Sequence, residues 1–135
     1  MNRERGMSSL ALVLLTLVLG SLLLQGLNRQ HQTTLSQVSL EQVALRDSAR
    51  AQSALQWGRM QTWEVTPQTQ CRSLPAYSAT VCLRFADDHT GLLIARSGDF
   101  TYWQAATLEL SAVHFSPHGW SDFCPLKERA LCQMP

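Results

Sequence analysis

An α+β fold, with one long N-terminal helix packed on a small antiparallel β-sheet, is predicted by three features of the sequence. Met7 to Leu27 carries no charge and is dominated by leucine. Residues 28–60 contain no proline and are rich in Gln, Leu, Ala, Glu and Arg, which are good helix formers. Beyond Trp63 the pattern changes to short β-branched and aromatic runs separated by turns that contain Asp and Gly.

The uncharged stretch has the length of a membrane span. A helix rising about 1.5 Å per residue covers roughly 30 Å over it, the thickness of a bilayer's hydrocarbon core. Arg3 and Arg5 precede the span and Arg29 follows it. The positive-inside rule then puts the N-terminus in the cytoplasm and the rest of the chain outside the cytoplasmic membrane. Residues 28–60 continue the helix. Leu40, Val43, Ala44, Ala51, Ala54, Leu55 and Gly58 gather on one side at spacings of three, four and seven. Gln42, Arg46, Arg50 and Gln56 fall opposite. The β-branched, polar cluster His31-Gln-Thr-Thr34 predicts a local bend or fray.

The remaining residues, 61–135, form the head. Ala79–Phe85 reads as a strand, Asp87–Gly91 as a turn with positive φ at Gly91, and Leu92–Ala95 as the return strand. Ser97–Asp99 is a second turn, followed by strands at Phe100–Trp103 and Leu108–Phe115 that end at Pro117–Gly119. Links this short predict an antiparallel meander. The tail reads as one helical turn over Leu126–Leu131 or as irregular chain.

About 75 residues in the head lie near the lower limit for an unaided core. Cys71, Cys82, Cys124 and Cys132 are the candidate staples, and all follow the apolar span. In an oxidising compartment they pair. Of three connectivities, the sequence-near pairs Cys71–Cys82 and Cys124–Cys132 are favoured because they close small loops. A fully helical 125–132 segment would hold the second pair's Cα atoms roughly 12 Å apart, beyond disulfide reach. The rival reading of His114, His118, Cys124 and Cys132 as a zinc site is disfavoured by Pro117, which interrupts the His-x3-His spacing.

Other motifs point away from catalysis. Asp87-Asp-His89 beside Gly91 is a turn sequence more than a metal or catalytic cluster. Trp57, Trp63 and Trp103 read as core or helix–sheet contacts, and Trp120 as such a contact or as an exposed partner residue. The chain has no Gly-rich phosphate loop, Ser elbow or paired-carboxylate pattern. Neither an enzyme nor a cofactor or resident metal is expected. A formal net charge of +1 with scattered Lys and Arg gives no basic face for nucleic acid as the main partner.

The opening residues admit three signals. A cleaved secretory signal lacks its Ala-x-Ala site, and a plain single-span anchor needs no special leader. A lipoprotein signal is excluded because the first cysteine is Cys71. The third reading fits best. Arg5-Gly6 before Met7 and a continuous apolar helix resembles the class III signal of type IV pilins and type II secretion pseudopilins. MNRERGMSSLALVLL, SALQWG at Ser53–Gly58 and the ending from Phe115 to Pro135 resemble the enterobacterial prepilin-peptidase-dependent minor pilins.

The resemblance implies a pilin-like fold, a span in the inner membrane with the rest of the chain in the periplasm, cleavage after Gly6 by a prepilin peptidase and N-methylation of Met7. The parts are then a leader at 1–6, a membrane or filament-core helix at 7–27, its periplasmic continuation at 28–60 and the head at 61–135. Most members carry a glutamate five residues into the mature chain, and this chain has Ala11 there. In the family that carboxylate neutralises a neighbouring subunit's terminal amine. Tip-located minor pseudopilins lack it, so the resemblance implies a minor, tip-proximal subunit. Its partners would be the peptidase, membrane lipid and other minor subunits, with Gly20 and Gly26 offering small helix-packing surfaces. The alternatives are a single-span inner-membrane protein with a periplasmic ligand- or protein-binding domain, and a tip subunit that captures cargo.

Overall fold

The computed structural model describes residues 3–135, with side chains from residue 8 onward. The elements are helix α1 (Arg3–Arg59), then strands β1 (Gln70–Leu74), β2 (Ala79–Phe85), β3 (Thr90–Ser97), β4 (Phe100–Glu109) and β5 (Ala112–Ser121). Short 3-10 turns occupy Pro75–Tyr77 and Arg129–Cys132. The architecture is the predicted α+β one. The chain divides into two compact units, one ending at Gln42 and the other running Val43–Pro135.

In the first unit the helix is unbroken through His31–Thr34, against the expected bend or fray. The hydroxyls of Thr33 and Thr34 both donate to the Gln30 carbonyl, at 2.8 and 2.9 Å. They bond to the helix's own backbone in place of competing with it. Leu40, assigned to the packing stripe, is 70% exposed.

The second unit is the head. Its five strands form an antiparallel meander in the order β1-β2-β3-β4-β5. One sheet face packs on the end of α1. Ala51, Ala54 and Leu55 are fully buried there against Val81, Leu83, Leu93 and Ala95. The lower part of the predicted stripe thus makes the core, whereas Val43 stays exposed. Gly58 sets the approach distance: a Cβ on it would lie 2.6 Å from Val81 Cγ1 and 3.2 Å from Leu93 Cδ2. Ser48 and Tyr102 join helix to sheet through a 2.8 Å hydroxyl pair. The helix ends where Met60 N donates to Trp57 O, and the Trp63 indole donates to Gly58 O at 2.8 Å. That indole satisfies one of the carbonyls a helix terminus leaves unpaired.

The tail covers the other sheet face. Leu92, Ile94 and Trp103 pack against Cys124, Leu126, Cys132 and Met134. Trp103 Nε1 donates to Cys132 O at 3.1 Å, and Arg84 Nη1 donates to Ala130 O at 3.2 Å. Cys124 and Cys132 are bonded with Cα atoms 5.7 Å apart, and the segment between them is irregular until its closing 3-10 turn. Cys71 and Cys82 occupy directly opposite positions on β1 and β2 and are bonded, with Cα atoms 4.0 Å apart.

Several expected boundaries move. Strand β1 had no signal of its own. Gly91 does not take a positive φ; Gly98 does, at 55°. Asp87 closes the β2–β3 turn, so the chain is already extended at Thr90. Gly91 is needed for another reason: it faces Phe85 across the pair, and a Cβ would lie 3.0 Å from that ring. The strand expected over Leu108–Phe115 is cut by a hairpin turn at Leu110 and Ser111, with φ of 48° and 67°. Such left-handed positions usually call for Gly or Asn, so this pair gave no turn signal. Strand β5 then passes through Pro117–Gly119, which had been read as the end of the sheet. A register shift opens between Gln104 and Ala106, and Gln104 Nε2 donates to Ser116 O across it. On an edge strand a proline need not remove a ladder bond.

Two stability outcomes follow. Gly58→Ala gains helix propensity worth about 1 kcal/mol but overpacks against a stiff, fully buried Val81, which costs about 1–3 kcal/mol. A net loss of about 1 kcal/mol is expected in thermal or denaturant unfolding, and its cost should fall in a Val81→Ala background. Replacing Cys124 and Cys132 by serine should cost about 2–3 kcal/mol and change Trp103 fluorescence. An unchanged emission spectrum would mean that the tail stays on the sheet without the bridge.

Candidate functional site: an exposed apolar helix

From Ser8 to Leu27 the helix is apolar on every side, and its most apolar stretch is entirely unburied. Leu10, Leu12, Leu22 and Leu27 are each more than half exposed, and the helical repeat points them in different directions round the helix. A helix that packs on a protein core needs one apolar stripe. One that is apolar all round needs an apolar solvent or apolar neighbours on all sides. Thr16 donates its hydroxyl to Val13 O at 2.8 Å, so this polar group is satisfied within the helix, as a lipid environment requires. Gly20 and Gly26 face open space, with nothing within 4 Å of a built Cβ. Ala11 is exposed, and the sequence holds no acidic residue between Glu4 and Glu41. The helix has the length and composition of a membrane span or of a signal sequence.

Gly6 and Met7, the expected processing junction, lie outside the residues whose side chains are described. The four cysteines form the two bridges given above, and among the described residues none is free. The zinc reading loses two donors to Cys124–Cys132, and His114 and His118 are both exposed on β5. Among the described residues no group of three or more His, Cys, Asp or Glu is placed to hold a metal.

The Asp87 turn is built from hydrogen bonds. Its Oδ1 accepts from His89 N at 2.8 Å and Thr90 N at 2.6 Å, and its Oδ2 accepts from the Thr90 hydroxyl at 2.6 Å. The Thr90 hydroxyl, then the two backbone amides, hold this carboxyl below its ordinary value. Trp57, Trp63 and Trp103 are half-buried, as core contacts should be. Trp120 makes a ring contact and is also exposed. It stacks on Tyr102 with ring centroids 5.6 Å apart, yet remains 47% exposed.

One feature had no sequence signal. An open hollow of about 520 Å³ is lined by Val65, Pro67, Phe85, Leu108 and the Asp87–Asp88 turn. These residues come from three separate segments and meet only through the strand register, so no local spacing marks them.

These elements define a protein with one membrane-length apolar helix and a disulfide-stapled α+β head. The sequence model of a family described as "Protein of unknown function (DUF2509)" matches residues 15–132, and the chain belongs to that family. No curated protein and no solved structure matches it.

The Asp87 bonds make the head's stability depend on pH. A carboxyl whose pKa is lowered on folding contributes stability above its unfolded value and loses it as pH falls through the folded value. Wild type should therefore lose denaturation midpoint faster than Asp87→Asn as pH falls through and below the usual carboxylate range. Parallel profiles for the two proteins would remove Asp87 from acid unfolding.

Proposed function

We propose that the chain is a minor prepilin or pseudopilin that helps to prime a type IV pilus or secretion pseudopilus from a tip-proximal position. The observation that carries this reading is the shared helix. The apolar span continues without a break into the segment that packs on the sheet. The membrane segment and the packing layer of the head are thus one element, as in the class III-signal proteins that the leader resembles. A plain anchor needs no such continuity, because any flexible linker would serve it.

In this reading the peptidase removes residues 1–6 and methylates the amine of Met7. The span waits in the inner membrane with the head in the periplasm, where an oxidising environment keeps both bridges closed. Withdrawal from lipid exposes apolar surface that neighbouring subunits' helices would cover. Ala11 supports the tip position. A buried terminal amine needs an opposing charge, and a subunit without the carboxylate offers none to its neighbour, whereas the first subunit in a filament has no predecessor to neutralise.

Expression with and without an active prepilin peptidase, followed by intact-mass analysis, tests this. The expected product begins at N-methylated Met7 only when the peptidase is present, and Gly6→Ala should abolish the conversion. Persistence of Met1 beside an active peptidase would favour the alternative, a single-span inner-membrane protein whose head binds a ligand or protein.

A further inference from the structure

The meander places two turns, β2–β3 and β4–β5, at the same end of the sheet. This end lies opposite the Gly98 turn, which sits against Asp47 on the helix. The chain leaving α1 crosses the same end at Val65 and Pro67. Together the three segments enclose the 520 Å³ hollow, a volume within the usual range for binding sites. Val65, Pro67, Phe85 and Leu108 give it an apolar wall, and Thr66 and the Asp87–Asp88 turn its polar part. Val65 is 44% exposed, and Leu110, two residues beyond Leu108 on the hairpin tip, is fully exposed at 103%. The left-handed φ values at Leu110 and Ser111 hold that side chain outward at a conformational cost.

Asp87 and Asp88 line the hollow, and the three stretches that form it, 65–67, 85–88 and 108, hold no lysine or arginine. The two nearest arginines are engaged elsewhere. Arg72 donates to Gln61 Oε1 and Thr62 O and lies over the Trp63 ring, 4.9 Å from its centroid. Arg84 is turned to Thr69 and the tail carbonyls. Asp87 is occupied by its own turn, which leaves Asp88 exposed on the rim as the carboxylate open to a partner.

The geometry points to this end of the head as the docking site of a protein segment that carries aliphatic side chains next to lysine or arginine. The aliphatic groups fill the hollow against Val65, Pro67, Phe85 and Leu108, and the cation meets Asp88. An acidic segment is repelled by Asp87 and Asp88, and a purely polar cation leaves the apolar wall wet. The inference does not depend on filament assembly, since a head anchored by a plain span would present the same surface.

The full chain in nanodiscs of zwitterionic lipid can be titrated with fluorescein-labelled Gly-Lys-Leu-Leu-Lys-Gly and followed by anisotropy, with empty nanodiscs as the blank. Two control peptides replace the lysines by glutamate or the leucines by serine. Saturable binding of the first peptide alone is expected, weaker in higher salt. Asp88→Lys should weaken it about tenfold and Val65→Ser measurably, with far-UV circular dichroism and melting temperature unchanged in both. Equal binding of the glutamate peptide, no binding above empty discs, or indifference to both substitutions would each overturn the assignment.

Discussion

The close approach of the helix to the sheet at Gly58 is the constraint on which the head depends. The helix has no side chain there, and the Val81 and Leu93 side chains of the strands fill the space. Ala54 and Ala51, one and two turns back, are small for the same reason and fully buried. Small residues on the helix permit large ones on the strands, and Leu83, Leu93 and Val81 are, with Leu55 of the helix, among the largest fully buried side chains. Each large aliphatic side chain contributes about 1.5–3 kcal/mol when buried. In a head of this size few such contacts exist, so the approach distance matters more than it would in a larger domain.

The opposite face of the sheet solves the same shortage differently. Among the described residues there is no second α-helix, and the tail is too short and irregular to bury a face by regular packing. Its own loop is closed by the Cys124–Cys132 disulfide, and hydrogen bonds from the Trp103 indole and the Arg84 guanidinium fasten it to the sheet. The two hydrogen bonds also satisfy carbonyls of a segment with little regular structure, which would otherwise be costly to bury. The head is therefore layered, with helix, sheet and strap in that order.

That layering leaves the ends of the sheet to the loops. One end carries the Gly98 turn, which sits against Asp47 of the helix. The other carries the Asp87 turn, the Leu110 hairpin and the crossing from α1, and it holds the apolar hollow. Trp120 on the edge strand is half-exposed beside the helix. The exposed surfaces thus include the apolar span, the end that carries Asp88 and this aromatic edge, and each differs in chemistry from the others.

Sequence alone determined the elements whose signals are local. The apolar span was legible because every side of it is apolar. The helix beyond it was legible because good helix formers run without proline, and Ala79–Phe85 because alternation survives wherever one strand face is buried more than the other. Cysteine spacing favoured the near pairs. What only the tertiary structure decided were contacts between distant segments: β1, recognisable only by its pairing with β2; the Leu110–Ser111 turn, which the hairpin forces on residues that do not prefer it; β5 beyond Pro117, carried past the break by Gln104 and its edge position; and the hollow, assembled from three loops. Gly91 shows the difference in one residue. Its place beside a turn was visible, but its role, clearing the Phe85 ring across the strand pair, depends on a neighbour that only the register supplies.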